Sequence, residues 1–441
     1  MRLPTSPLWS NGAFVRLWSG RTISIFGSLI TRMALPFVAI LVLDAGAVEV
    51  AFLRSVDLAA ALLFGLLAGA WVDRLRRRPV LVWSDLARAV LLASIPVAYL
   101  LGALTLIQVF VVAGLAAVLT TFADAADNAY LPTIVQRDQL VPANGALVAS
   151  GSAAEFTAFG ISGFLVQLLT APIAIVIDAC TFLVSAVLIG SIRRPEPPPP
   201  PVEDREPVLH EIAAGLRITF RDPVLRAFAI GQMAQSAMWG VFGAVWILFA
   251  TRDLGLGPAA IGLIAGVGGA ASFGGAVLAD RSTRRWGVGP VAIFAMLLAA
   301  FGNLLIPLAP AGAPLLAVLF LCGQQLIGDS GVTVYDVTET SVRQASVHDR
   351  ALGRVASSFT VAAGLVQLLA TIGAGFAAEA IGLRNAAFLA PLGALVAAGA
   401  LWFSPVRGLR TLPAEPAHGL PPLAAAAEAV VVTSRDEPIG G

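Results

Sequence analysis

Twelve apolar stretches, each long enough to cross a bilayer, constrain this chain of 441 residues more than any other feature. A spanning helix needs roughly 20 predominantly apolar residues. Stretches of that kind fall at 18–43, 50–72, 79–102, 106–128, 140–168 and 171–192 in the first half, and at 226–250, 257–279, 288–309, 313–337, 352–378 and 384–404 in the second. Residues are 58% hydrophobic and only 12% charged, and the mean hydropathy is +0.85. The apolar character is therefore spread over the whole length and is not one anchor on a soluble domain. The expectation is an all-α integral membrane protein with 12 transmembrane helices, multi-pass in a lipid bilayer. Its parts are an N-terminal six-helix bundle over 1–192, a linker over 193–225, a C-terminal six-helix bundle over 226–404 and a disordered tail over 405–441.

The linker opens with "RRPEPPPPPVEDREP", a proline run that is stiff and extended, not helical. "LHEIAAGLRITF" after it has the spacing of a short amphipathic helix at the membrane surface. A net charge of +1 gives no reason to expect nucleic acid as a partner. All 28 basic residues other than histidine are arginine, which reads as codon bias. Cys180 and Cys322 lie in apolar runs and are expected as buried free thiols, outside any disulfide or metal site. The N-terminus "MRLPTSPLWSNGAF" is polar and the first apolar run is of full membrane length, so no cleavable signal peptide is expected.

Arginines orient the helices. The connections after segments two, four, six, eight and ten carry "DRLRRR", "QRDQ", "RRPEP", "DRSTRRW" and "VRQASVHDR", whereas the opposite connections carry only Arg252 and Arg384. Positive residues stay inside, which places both termini and the linker in the cytoplasm of a plasma-membrane protein. The charged turn also recurs: "GAWVDRLRRRPV" (69–80) is echoed by "GAVLADRSTRRW" (275–286), with Asp280 lying 207 positions after Asp73. "TIVQRDQLVPANGALVAS" (133–150) is echoed by "SVRQASVHDRALGRVASS" (341–358) at nearly the same offset. Two matches at one offset indicate tandem duplication of a six-helix unit, the parallel-repeat architecture of rocking transporters.

Gly69, Asp73, Arg74, Arg77 and Arg78 resemble the loop signature of the major facilitator superfamily, with Arg76 in place of its usual second glycine. "FVRLWSGRTISIFGSLITRMALP", "DLARA" (85–89), "YLPTIVQRDQLVPANGAL" and "EIAAGLRITFRDPVLRAF" resemble the enterobactin-exporter and macrolide-efflux branch of that superfamily. The resemblance covers all but the proline run and the tail. It implies the major facilitator fold, a monomer, and a gate at the charged turn.

A cluster of opposite charges at the membrane–water boundary can hold two halves together reversibly. Asp73 ends segment two, where the N-terminus of a helix from the other half can approach its carboxylate. Arg74 and Arg77 need acids, for which Asp124 and Asp127 at the end of segment four are candidates, and Asp280 is the second-half counterpart of Asp73. The alternative is that these arginines set topology alone; Arg76 and Arg78 are read that way. Deeper charges are costlier. Arg32, Arg54, Asp57, Glu155 and Asp178 fall inside predicted spans, where an ionised group costs on the order of 3 kcal/mol and so faces a cavity or a partner. Glu155 and Arg32, with Asp57 behind them, are the candidates for proton coupling, and a fixed Arg32–Glu155 pair is the rival reading.

Segment seven offers Gln232, Gln235 and Trp239 with Met233 and Met238 alongside, and segment ten offers Gln324, Gln325 and Asp329. Such amides and soft apolar groups suit a bulky substrate, although interhelical hydrogen bonding accounts for them individually. Proton-driven drug antiporters of the superfamily usually carry a basic residue in helix four and a Gly-Pro pair in helix five. Segment four here has "VLTTFADAAD", and segment five has Gly160 and Gly163 without the proline. No nucleotide-binding loop, metal-ligand cluster or nucleophile–base set appears, so no enzyme and no cofactor is expected, and the proton gradient is the energy source. The leading reading is an exporter of a bulky amphipathic small molecule such as a drug, macrolide or siderophore. The alternative is an importer of a small nutrient on the same scaffold. A membrane sensor would need a larger soluble domain than the linker or tail provides.

Overall fold

The computed structural model describes residues 8–72, 74–194, 196 and 208–413; side chains at 66, 69, 70, 137, 155, 156, 159, 208–212, 349 and 350 lie outside that description. Every regular element among the described residues is helical. The first half contains α1 (Gly12–Phe37, continued by a π turn over Val38–Val42), α2 (Ala47–Val72), α3 (Arg77–Leu100), α4 (Leu106–Ile134), α5 (Leu140–Leu169) and α6 (Ala171–Gly190). A short helix, α7 (Val208–Arg221), leads into α8 (Pro223–Arg252), α9 (Pro258–Trp286) and α10 (Val288–Leu308). Then come α11 (Pro314–Gln324), a π turn over Gln325–Asp329, α12 (Ser330–Ser346), α13 (Asp349–Ile381), α14 (Leu383–Ala387) and α15 (Leu389–Trp402).

Ten helical stretches among the described residues are long and apolar enough to cross a membrane, so this is a multi-pass membrane protein. They coincide with ten of the expected segments. The other two segments correspond to α2 and α5, which are as long. Both contain side chains outside the described residues, at 66, 69 and 70 in α2 and at 155, 156 and 159 in α5.

Local chemistry starts and stops these helices. The Asn11 side chain accepts from the backbone N–H groups of Ala13 and Phe14 at the start of α1, and Asp222 does the same for Val224 and Leu225 at α8. Proline occupies the first turn of α8, α9 and α11, where its missing N–H costs nothing.

Helices of each half pack mainly among themselves. In the first half α1 lies against α5 and α6, α3 against α4 and α6, and α2 against α4. In the second α8 lies against α13 and α15, α10 against α12 and α15, and α9 against α12. The halves meet along two seams, α2 with α13 and α5 with α9, and more lightly where α2 meets α8. Large apolar side chains such as Leu100, Ile107, Leu315 and Phe403 remain exposed, as a bilayer-facing surface requires.

Three sequence expectations need correction. Cys180 is a free thiol on the exposed face of α6, not a buried one, and Cys322 is half-buried. Segment ten does not stop at 337: the helix runs on to Ser346, because the π turn and α12 form one continuous rod of 33 residues with α11. Residues 405–413, expected in a disordered tail, instead form a turn over Pro405–Gly408 and lie along the start of α10. There the N–H of Gly289 donates to the Leu409 carbonyl at 2.8 Å, and the Arg410 guanidinium donates to the Trp286 carbonyl at 2.8 Å. The remainder of that expected tail, and the proline run of the linker from 197 on, lie outside the described residues.

Candidate functional site

Between the two halves lies a cavity of about 1090 Å³, and helical periodicity explains which side chains reach it. On α8, Trp239, Phe242, Gly243 and Trp246 recur at spacings of three and four, as do Asp329, Val332, Thr333 and Asp336 on the π turn and α12. From the first half come Arg32 and Met33 of α1, Arg54, Asp57 and Leu58 of α2, and Ser152 and Ala153 of α5. The rings of Trp239 and Phe242 meet edge to face at 5.3 Å, and those of Phe242 and Trp246 stack at 5.3 Å.

Each half contributes charge differently. Arg32 and Arg54 share one carboxylate, Asp57, within electrostatic reach of both. The Arg54 side chain extends to α8 at Gly243, where a Cβ would be in ordinary van der Waals contact with Arg54 Nε at 3.8 Å. On the opposite wall Asp336 accepts a hydrogen bond from Gln235 Nε2 at 2.9 Å. Asp329 ends the π turn and is packed beside Gly268 of α9, where an added Cβ would come within 2.6 Å of its Oδ2. Among the described residues no hydrogen bond or ion pair reaches the Asp329 carboxylate. A π turn re-aims side chains within a helix and is common at functional sites; here it brings Asp329 to the same wall as Asp336.

The sequence candidates divide in the structure. Arg32, Asp57 and Trp239 line the cavity. Glu155 lies one turn beyond Ser152 on α5, but its side chain is outside the described residues, as are Gly69 (except for its backbone) and Asp73. Gln235 is buried behind the wall, spent on Asp336; Gln232 is half-buried and does not line the cavity; Gln325 is buried against Gly268 next to Asp329.

The pairing expected at the charged turn is corrected. Arg77 does not reach Asp124 or Asp127; its guanidinium faces Glu196 at 3.6 Å, and Glu196 also accepts from the backbone N–H groups of Arg77 (2.6 Å) and Arg78 (3.3 Å). The start of α3 presents unpaired N–H groups, so a carboxylate arriving from beyond α6 caps it. Arg78, read as topology alone, donates to the carbonyls of Ile189 and Gly190. Asp127 pairs with Arg21 of α1, Asp124 lies within reach of Arg21 and Arg88, and Arg74 is exposed. Asp280 pairs with Arg284 of its own helix at 2.8 Å, both well exposed.

Two groups escaped the sequence reading. Asp336 is not among the sequence candidates and lies at the end of the stretch 313–337. The other is a buried cluster within the first half: Arg88 donates to Asp85 at 2.5 Å and to Thr120 Oγ1 at 3.2 Å, and lies 4.1 Å over the Phe182 ring. Asp178, one helix away, accepts a hydrogen bond from Thr181 Oγ1 at 3.2 Å and packs against Gly27 of α1. This cluster ties α1, α3, α4 and α6 together and lies outside the cavity lining.

The halves touch at the arginine-poor end. Arg252 Nη2 binds Asp44 Oδ1 at 2.6 Å and the Ala45 carbonyl at 3.0 Å; the Val48 N–H donates to Glu379 Oε1 at 3.4 Å, and the Ala259 N–H donates to Gln167 at 3.1 Å. Gly163 of α5 lies so close to α9 that a Cβ would fall 2.7 Å from Gly262 Cα, and one on Gly375 would meet Ala51 Cβ at 2.5 Å. At the arginine-rich end, Gly145 and Gly151 of α5, Gly274 of α9 and Gly353 of α13 have open space where a Cβ would go.

The sequence model of the Major Facilitator Superfamily matches residues 17–343. An uncharacterised MFS-type transporter of Mycobacterium tuberculosis is 29% identical over 312 residues, 66% of this chain and 68% of that protein. The multidrug efflux pump Tap of Mycolicibacterium fortuitum is 30% identical over 222 residues, about half of each chain (48% and 53%). Among solved structures, a bacterial homologue of the iron transporter ferroportin in its inward-facing state superposes with a TM-score of 0.70 at 16% identity, over 88% of this chain and 98% of that one. Its outward-facing form superposes with a TM-score of 0.55.

Proposed function

The chain belongs to the Major Facilitator Superfamily, and from that premise we propose that it is a secondary active transporter. It exports a bulky amphipathic small molecule, a drug, macrolide or siderophore-like natural product, by alternating access, and couples export to the proton gradient. In this reading α2 and α5 complete 12 spans arranged as two six-helix bundles in the plasma membrane. The arginine-rich end and both termini face the cytoplasm, and the monomer works without a cofactor.

One observation carries the reading: a cavity of about 1090 Å³ lies between the halves, whose contacts concentrate at the arginine-poor end. That geometry supports a binding site presented to the arginine-rich, cytoplasmic end. The higher TM-score with the inward-facing form of the ferroportin homologue agrees with it. Its size and its aromatic wall suit a bulky ligand, since sites for such molecules are mostly apolar with a few placed polar groups. Similarity to Tap over half the chain favours export over import. The cavity charges, Arg32, Asp57 and Glu155 among them, are the candidates for coupling, and Gly69, Asp73 and Arg74 remain candidates for closing the cytoplasmic end.

The test is accumulation of macrolides, tetracyclines, dyes and siderophores in a pump-deficient cell, with and without a protonophore. Export predicts that expression lowers accumulation of at least one compound and that the protonophore restores it. Raised accumulation on expression would reverse the direction.

A further inference from the structure

Resting on the export reading, we infer that Asp329 is the cation-accepting group of the cavity and that the exported substrate is an amphipathic organic cation, an apolar body carrying one positive charge. Among the described residues the two walls carry opposite excess charge. There the first-half wall holds Arg32 and Arg54 against the single carboxylate of Asp57. The second-half wall holds Asp329 and Asp336 and, among the described residues, no basic side chain. Asp336 has a donor in Gln235. Asp329 has none, although its carboxylate is enclosed between α9 and α12 and faces the cavity.

The surroundings of Asp329 are specific. Gly268 and Gln325 lie beside it, Asp336 stands two turns along the same rod, α10 brings no charged residue, and Arg32, Arg54 and Asp57 face it across the cavity. Glu155 belongs to α5, which packs against α9, and its side chain lies outside the described residues. A carboxylate out of water needs a cation or a proton. Arginine cannot give up its proton, so a change of charge falls to the carboxylates, of which Asp57 stands between two arginines and Asp329 has no cation beside it among the described residues. Trp239, Phe242 and Trp246 on the same half, and Phe273 of α9, give the apolar body and its charge ring faces to lie on.

The sign of the coupling supports a cation. Asp329 holds either a proton or the substrate cation, so the two exclude one another. Open to the cytoplasm, it releases its proton there and takes the cation; open outward, it releases the cation and takes a proton. One proton enters for each monovalent cation leaving, with no net charge moved. An anion held by Arg32 and Arg54 would bind better when the facing carboxylates are protonated. It would travel with the proton, which yields uptake.

Two probes matched in shape and opposite in charge separate these cases: tetraphenylphosphonium and tetraphenylborate, bound to the full-length protein in detergent and read by tryptophan fluorescence. The expected result is phosphonium binding whose affinity rises with pH, by up to about tenfold per unit while Asp329 is protonated, with no competition by the borate. Asp329→Asn weakens binding at least about tenfold and flattens the pH profile. Asp329→Glu keeps both and controls for folding. The proposal is overturned by any of four results: neither ion binds, Asp329→Asn binds as the parent does, the loss appears only in Glu155→Gln, or the borate binds preferentially and Arg54→Gln weakens it. Failure of the export reading looks different: phosphonium binds through Asp329, yet cells expressing the protein accumulate more of it.

Discussion

The two ends of the molecule are built on different principles. At the arginine-rich end the ion pairs among the described residues do not cross between the halves: Arg77 pairs with Glu196, Asp127 with Arg21 and Asp280 with Arg284. At the arginine-poor end few charges exist, and the halves are held by backbone approach at Gly163 and Gly375 with one ion pair, Arg252–Asp44, across them. Charge density therefore does not mark the end at which the halves close on each other. Small residues do, because in a membrane helices associate through close packing where no hydrophobic drive exists between them.

The largest expected effect comes from filling the closed seam. Gly163→Leu places a side chain where Gly262 Cα lies 2.7 Å from the first added carbon. Overpacking of this kind costs about 1–3 kcal/mol, so the population closed at that end falls about fivefold to more than a hundredfold. Cysteine accessibility at Asp44 and Ala45, which rises when that end opens, reads this directly. A variant with unchanged accessibility would show that the seam is not the gate.

Next in size is Glu196→Ala. It removes the acceptor for two backbone N–H groups at the start of α3 together with the pair to Arg77. Loss of about 1 kcal/mol is expected, seen as a lower unfolding midpoint with accessibility at the opposite end unchanged. A change in gating instead would make Glu196 part of the switch.

Arg252→Gln should matter less. The pair is solvent-exposed, with side-chain exposures of 37% and 95%, and such pairs contribute little. The closed population should drop less than about fivefold, and the difference should shrink in high salt. Arg284→Ala, at the exposed pair within α9, should change neither gating nor the unfolding midpoint. An effect from Arg284→Ala larger than that from Gly163→Leu would invert the comparison.

The spans were legible because a run of about 20 apolar residues has one use in a chain this apolar. Partners were not. Arg77 and Arg21 are equally good guanidiniums in sequence, and only the packing of α1 against the core of its half sends Arg21 to Asp127. Gln235 lies on the same helical stripe as Trp239, Phe242 and Trp246, so periodicity placed it in the cavity; Asp336 of α12 covers it. Asp329 was visible as an acid in an apolar run, but the π turn that aims it leaves no pattern in composition. Asp85 and Arg88, inside the quoted "DLARA", sit at a spacing of three and form a buried pair; that spacing was the available signal.

The most direct test of alternating access is a pair of spin-label distances in one cysteine-substituted protein lacking Cys180 and Cys322. One pair joins Asn144 to Gly353 at the arginine-rich end, and the other joins Ala103 to Ala311 at the arginine-poor end, all exposed positions. Moving from the substrate-free state to saturating substrate or low pH, the first distance should shorten as the second lengthens. Two distances that stay fixed, or that change in the same sense, would contradict a cavity opened to each side in turn.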